Sequence, residues 1–257
     1  VEVVLYPPSS QNKREAEHKI ESATTQPIVT ENQLSANEYF ERAYQHGETG
    51  RYDEAIRDYT EAIRLNPQFA DAYNNRGLAY DNKGNYARAI ADYTEAIRLN
   101  PHFAIAYVGR GLAYRHKKNY ARAIADYTEA IRLDPHFAMA YNNRGFAYQN
   151  GKKDYARAFA DYNEAIRLNP QDEGAYNNRG SAYDDKKEYD RAIADYTEAI
   201  RLNPQFAEVY NNRGVAYSNK GEYDRAIADY DRALQINPND QVAQKNRDIA
   251  LRKKRGR

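Results

Sequence analysis

The side chains able to do chemistry are few in kind and repeated in place. Histidine occurs at His18, His46, His102, His116 and His136, and there is no cysteine to act as nucleophile, disulfide partner or soft metal ligand. His102 and His136 fall 34 residues apart at equivalent places. Helical units stacked at roughly 8–10 Å hold such a pair too far apart to share a metal whose bonds are about 2 Å. Carboxylates recur with an arginine three residues on: Glu95 with Arg98, Glu129 with Arg132, Glu164 with Arg167. That spacing sets opposite charges on one helical face, which suits solvated ion pairs better than an acid–base dyad. No glycine-rich phosphate cradle is present. An active site is a unique constellation, whereas here nearly every polar residue returns in each copy. The residues argue against catalysis and imply neither cofactor nor metal.

The elements that position these side chains are legible in the composition. The 257 residues contain 25 Tyr, one Met and no Trp. A Leu/Ile-Asn/Asp-Pro tripeptide closes six segments at Pro67, Pro101, Pro135, Pro170, Pro204 and Pro238, spaced 34, 34, 35, 34 and 34 residues apart. Taking Ala70 as position 1, Tyr stands at positions 4, 11, 17 and 24 of every copy except the first, where His46 takes position 11. These places hold 23 of the 25 tyrosines, leaving Tyr6 and Tyr44. Within a unit, Tyr73, Gly77 and Tyr80, then Ala89, Ile90, Tyr93, Ala96 and Ile97, follow three- and four-residue spacing, which predicts two amphipathic helices. Lys83-Gly84-Asn85 is the turn between them. Proline lacks an amide donor and clashes with the preceding turn, so each pair ends at position 32. Gly77 and Ala89 allow close helix approach, and the tyrosines fill the space between pairs.

Tyr73, Gly77, Tyr80, Ala89, Tyr93, Ala96 and Pro101 resemble the signature of the tetratricopeptide repeat, and the resemblance covers about residues 36–240. It implies an all-α, right-handed α-solenoid of antiparallel helix pairs, with the first helix of each pair lining a concave groove. The expected organisation is an amino-terminal arm over 1–34, repeats at 36–69, 70–103, 104–137, 138–172, 173–206 and 207–240, and a capping helix with a basic tail over 241–257. Two departures recur in all six copies. Arg replaces the family's usual Leu at position 7, and Asp stands at position 23. The Arg–Asp pair is expected to meet between packed helices, with pairing of each Asp to the Arg four residues earlier, as in Arg88 and Asp92, left as the alternative.

The resemblance places positions 5 and 6 on the groove. Asn74-Asn75, Asn142-Asn143, Asn177-Asn178 and Asn211-Asn212 stand there, and each amide offers a donor and an acceptor to the backbone of an extended peptide. Asn75, Asn143, Asn178 and Asn212 are the expected ligand-facing members. The alternative is that one Asn of each couple bonds a neighbouring helix. Four amide contacts at a net ~1 kcal/mol each fall short of the roughly 8 kcal/mol of micromolar affinity, so apolar anchors are needed. Ile105, Val108 and Met139 are the candidates for one apolar patch, bordered by Arg115 and His116, with sequence decay at these positions as the alternative. The basic clamp with which some members of the family hold acidic chaperone termini is absent: position 2 is Asp71, Ile105, Met139, Gly174 or Glu208.

The ends are outside the repeat. Residues 1–34 carry Pro7, Pro8 and Pro27 in a polar stretch and read as a mostly disordered arm, with a short helix near Lys13–Glu21 and VEVVLY as an extended strand. A strand lying in a groove competes there with a frayed remnant, and the missing initial Met suggests trimming or a chosen boundary. After Pro238, Val242, Ala243, Ile249 and Leu251 face the sixth repeat in a helix whose tail is basic. The chain as a whole has 38 basic and 37 acidic side chains and no long apolar run, so neither a membrane span nor a nucleic-acid field is expected. The sequence thus points to a non-catalytic scaffold binding a protein or peptide partner. Self-assembly into a homo-oligomer and RNA binding are the alternatives. A soluble cytoplasmic location is favoured, and export after loss of a signal is allowed.

Overall fold

The computed structural model describes residues 34–256; the arm's expected strand and short helix, and Arg257, lie outside them. All regular structure among the described residues is helical. Helices α1 (Ala36–Glu48), α2 (Tyr52–Leu65), α3 (Ala70–Asn82), α4 (Tyr86–Leu99), α5 (Ala104–His116) and α6 (Tyr120–Leu133) belong to one compact unit. Helices α7 (Ala138–Lys152), α8 (Tyr155–Leu168), α9 (Glu173–Asp185), α10 (Tyr189–Leu202), α11 (Ala207–Lys220), α12 (Tyr223–Ile236) and α13 (Gln241–Arg255) belong to a second. The chain divides between them at Pro135 and His136.

Within each unit a first helix packs on the second helix of its own repeat and on the second helix of the repeat before it. Local chemistry sets the boundaries. Ser35 opens α1 with a capping box to Glu38, while Asn85, Asn119 and Asp154 each accept the backbone N–H three residues on. The turns pass through a left-handed residue, supplied by Gly50, Gly84 and Gly221 in three copies and by Lys118, Lys153 and Lys187 in the others. The inserted residue of the fourth repeat lengthens α7, which runs to Lys152 where α3 and α5 stop near the turn.

The core is a repeated contact between glycine and tyrosine. Position-24 residues Tyr59, Tyr93, Tyr127, Tyr162, Tyr196 and Tyr230 are buried, each beside small residues. A β-carbon built on Gly77 would lie 3.1 Å from the Tyr93 ring and 3.3 Å from the carbonyl oxygen of Ala89. The glycine is therefore what brings the two helices together. Removal from water drives the Tyr93, Tyr127 and Tyr196 hydroxyls well above the usual phenol range.

The last helix repeats this logic in part. Gln241 falls at position 1, so Asn246 and Arg247 occupy positions 6 and 7 of a further first helix. Ala243 packs with Tyr210 and Ala233, and Ala250 with Ala226 and Tyr230, covering the sixth repeat. Val242, expected to face that repeat, is 60% exposed. Asp248 stands where the other first helices from α3 onward carry glycine, so no tyrosine ring can close on α13 as Tyr93 closes on Gly77.

Candidate interaction surface

The position-7 arginine and position-23 aspartate meet in all six repeats. Nε and Nη2 of Arg42, Arg76, Arg110, Arg144, Arg179 and Arg213 donate to both oxygens of Asp58, Asp92, Asp126, Asp161, Asp195 and Asp229, at 2.6–2.9 Å. Such a fork-on-fork pair fixes both partners in one plane. The rival arginines lie elsewhere, Arg88 over the ring of Tyr80 at 5.5 Å and Arg122 over Tyr114 at 5.4 Å. The pairs sit between helices: the Arg144 and Asp161 side chains are 17% and 8% exposed, and only Arg42 of the first repeat opens to 47%. Burial raises the Asp92 and Asp161 carboxyls above the ordinary carboxylate range, and the facing guanidinium draws them partly back.

The same arginines join one repeat to the next. Nη1 of Arg76 donates to Thr60 Oγ1 at 3.0 Å, that of Arg110 to Thr94 at 3.1 Å, that of Arg179 to Asn163 Oδ1 at 2.7 Å, and that of Arg213 to Thr197 at 3.0 Å. Arg247 of α13 reaches Asp231 at the equivalent place.

The asparagines form a second cross-repeat series. Asn178 Nδ2 donates to Asn142 Oδ1 at 3.0 Å, Asn212 to Asn177 at 3.1 Å and Asn246 to Asn211 at 3.0 Å. A position-6 amide thus bonds the position-5 amide of the repeat before. This corrects the expectation that Asn75 and Asn143 face a ligand, since they are 0% and 1% exposed. Asn74, Asn142, Asn177 and Asn211 are buried with them, and Val108, expected in an apolar patch, is buried as well. The third repeat interrupts the series because Gly109 has no side chain to offer Asn74. Asn74 turns its Nδ2 to Asn75 Oδ1 at 3.0 Å instead, and its own Oδ1 is left buried without a donor.

Other expected groove residues remain accessible. In the first unit Ile105 and Arg115 are half-buried, and in the second Met139, Asn178 and Asn212 are. Asn178 and Asn212 give only Nδ2 to the series, and no described residue donates to their Oδ1. Position 12, where the third repeat carries Arg115, meets the buried tyrosines. Tyr162 donates to Gln149 Oε1 at 2.8 Å, and Gln149 Nε2 donates to Asp185 at 2.9 Å. At this position Asp81 and Asp184 are carboxyls raised by burial, with His116 Nδ1 lying 3.6 Å from Asp81 and the His116 ring 4.8 Å from that of Tyr86. Asp71 at position 2 is pushed by burial to about 6. Their signal in the sequence was a charge placed at a position that alternates with neutral residues between copies. Among the described residues no cluster of His, Asp and Glu could hold a metal ion, and no helix is long and apolar enough to cross a membrane.

Comparison with known proteins follows the repeat. Family profiles described as Tetratricopeptide repeat match residues 78–138, 119–173, 161–194 and 207–240, and one described as TPR repeat matches 45–84 and 181–221. The chain belongs to the tetratricopeptide repeat family, and its repeats make it a protein–protein interaction scaffold. No curated protein matches it. Among solved structures, the APC/C hetero-tetramer Cut9-Hcn1 is similar over 94% of this chain at 22% identity and a TM-score of 0.77. This chain spans 46% of the length of that one. A tetratricopeptide repeat protein from Parabacteroides merdae ATCC 43184 is similar over 94% of this chain and 91% of its own, at 22% identity and a TM-score of 0.69. YrrB, described as a TPR protein with an unusual peptide-binding site, is similar over 73% of this chain and 96% of its own, at 25% identity and a TM-score of 0.54.

Proposed function

We propose that this chain is a non-catalytic scaffold that holds an extended segment of a partner protein along the first helices of a unit. The observation that carries this reading is the pair of side-chain carbonyl oxygens on the half-buried Asn178 and Asn212, one repeat apart, to which no described residue donates. An extended backbone supplies N–H groups to such acceptors without its side chains being read. Two such bonds contribute only about 2 kcal/mol, so apolar contact has to do most of the holding. Half-buried Met139 and Val215, on α7 and α11 of the same unit, are suited to it, and in the other unit Ile105 with Arg115 provides a smaller mixed surface. The repetition of almost every polar residue supports a binding role over catalysis.

The test is a displayed peptide library panned against the chain and against Met139→Glu with Val215→Glu. Both side chains are partly exposed, but Val215 also packs beside Tyr230 and Ala250, so the enriched peptides are expected to be lost by the double variant and, at a melting temperature within a few degrees of the parent, weakened by Met139→Glu alone. Retention of the same peptides by a folded double variant would remove this surface from consideration.

A further inference from the structure

The turn edge of the first unit differs in charge from its counterpart in the second. From Ala96 to Ala125 there is no acidic residue, and this stretch includes Arg115, Lys117, Lys118 and Arg122. The cause lies at positions 16 and 18, which open each second helix. The fifth and sixth repeats place acids at both, Glu188 with Asp190 and Glu222 with Asp224, whereas the second and third place Asn85 with Ala87 and Asn119 with Ala121.

Those acids neutralise the edge where they occur. In the second unit Glu188 accepts from Arg191 at 2.9 Å, Asp190 from Lys220 at 2.6 Å, and Glu222 from Lys220 at 2.9 Å and Arg225 at 2.7 Å. In the first unit the equivalent Arg88 and Arg122 have no carboxylate and rest on Tyr80 and Tyr114, while Lys117 and Lys118 are exposed with no ion-pair partner among the described residues. The carboxylates nearby are Asp53, paired with Lys83, and the half-buried Asp81 facing His116.

A cleft runs between successive turns in both units. In the second it measures about 280 Å³ and is lined by Lys187, Glu188, Tyr189, Asp190, Arg191 and Lys220, so two acids stand among its three cations. In the first it measures about 410 Å³ and is lined by Lys83, Gly84, Asn85, Tyr86, Ala87 and Lys117, with no acid. The opening turn of α4 also lacks an acidic residue, and no described residue accepts from the N–H groups of Tyr86 and Ala87. The positive end of a helix and Lys117 therefore meet at a cleft large enough to admit an acidic side chain, and the exposed Lys118 is the next residue of the same turn.

We propose that this turn edge of the first unit binds a short acidic segment of a partner protein, its carboxylates taken by Lys117, Lys118 and the opening turn of α4. A protein segment fits better than a nucleic acid because Asp53 and Glu54 in the first turn of α2 bound the patch, which leaves no long track for a phosphate backbone. The surface is separate from the stripe of first helices and stands without the peptide reading given above.

The test is fluorescence anisotropy of a labelled decapeptide rich in glutamate, with its glutamine analogue and a labelled oligothymidylate as comparators, on the full chain at 50 and 300 mM salt. The main variant is Asn85→Glu with Asn119→Glu, which installs the residue that the fifth and sixth repeats carry natively, and Asn85→Gln with Asn119→Gln is the uncharged control. The acidic peptide is expected to bind at least tenfold tighter than its glutamine analogue at low salt, to weaken at least tenfold in the glutamate variant, and to change less than threefold in the glutamine control and in Met139→Glu with Val215→Glu. Should the glutamate variant fold poorly, Lys117→Gln with Lys118→Gln changes two exposed side chains and reads the same loss. Equal binding of the two peptides, an unchanged affinity in the charge variants, or tighter binding of oligothymidylate that the same variants abolish would each overturn the proposal.

Discussion

Asn178 on α9 donates its side-chain amide to Asn142 on α7 at 3.0 Å, tying the first helices of two successive repeats by a bond between side chains 36 residues apart in sequence. Beside it, the position-7 arginines tie each first helix to its own second helix, and Arg76, Arg110, Arg179 and Arg213 also reach the second helix before. The two series do different work. The arginine fork fixes the angle within a repeat, and the amide sets the register between repeats. Both are polar, both recur, and both occupy places where a purely apolar contact would allow the helices to slide.

Removing the amide should therefore cost stability through its Nδ2 and, through its Oδ1, weaken peptide binding as well. Asn212→Ala leaves Asn177 Oδ1 buried without its donor, a loss of about 1–3 kcal/mol. Urea unfolding followed by circular dichroism measures it. A variant as stable as the parent that has lost peptide binding would return Asn212 wholly to the ligand.

Breaking the arginine fork on one side should be more severe. Arg179→Met strands the carboxylate of Asp195, which is 6% exposed, at a cost of about 3–5 kcal/mol. Replacing both partners, with Arg179→Met and Asp195→Leu together, should recover most of that loss because neither charge then remains buried. Thermal melts of the two single variants and the double variant form the cycle, and a single variant melting with the parent would show the pair to be solvated.

The repeat, its helix boundaries and the close approach at Gly77 and Ala89 were legible because each is written as a spacing that recurs, whereas the seating of the Tyr93 ring on Gly77 of its own repeat was not. The partner of Asp92 was less so: Arg88 and Arg76 are both within reach on paper, and only the packing of α3 on α4 brings Arg76 to it while Arg88 turns outward onto Tyr80. The asparagines misled for a similar reason. Positions 5 and 6 are about 100° apart on a helix wheel, so whether an amide meets a groove or its neighbour depends on how close the next first helix lies. The seventh first helix was in plain view, since Asn246 and Arg247 keep the register of Asn212 and Arg213, but the loss of its tyrosines at positions 4 and 11 hid it.

The glycine at position 8 offers a prediction on packing. A β-carbon on Gly180 would stand 2.8 Å from the Tyr196 ring and 3.3 Å from the carbonyl oxygen of Ala192, and that ring is 2% exposed with no room to withdraw. Gly180→Ala should thus destabilise by about 1–3 kcal/mol despite alanine's better helix propensity. A melting temperature equal to or above that of the parent would mean that the ring moves at no cost.

Asp71 gives the fold a pH dependence whose sign is fixed by its burial. Its carboxyl is pushed to about 6 in the folded chain by loss of water, with no partner to hold the charge, against an ordinary value of ~3.9 when unfolded. Between those pH values the folded chain keeps a proton that the unfolded chain has released, so this residue's contribution to stability falls as pH rises from about 4 to 6 and stays low above that. Two pK units correspond to roughly 3 kcal/mol, and solvent screening of a half-buried side chain reduces the expected effect to about 1 kcal/mol. Asp71→Asn removes the charge and keeps the shape. It should be the more stable protein at pH 7 by about 1 kcal/mol, with the advantage vanishing below pH 4, where the parent's carboxyl is protonated in both states. Urea unfolding of both proteins at pH 3.5, 5 and 7 tests this, and a difference that stays constant across the three would show that folding does not shift the Asp71 carboxyl.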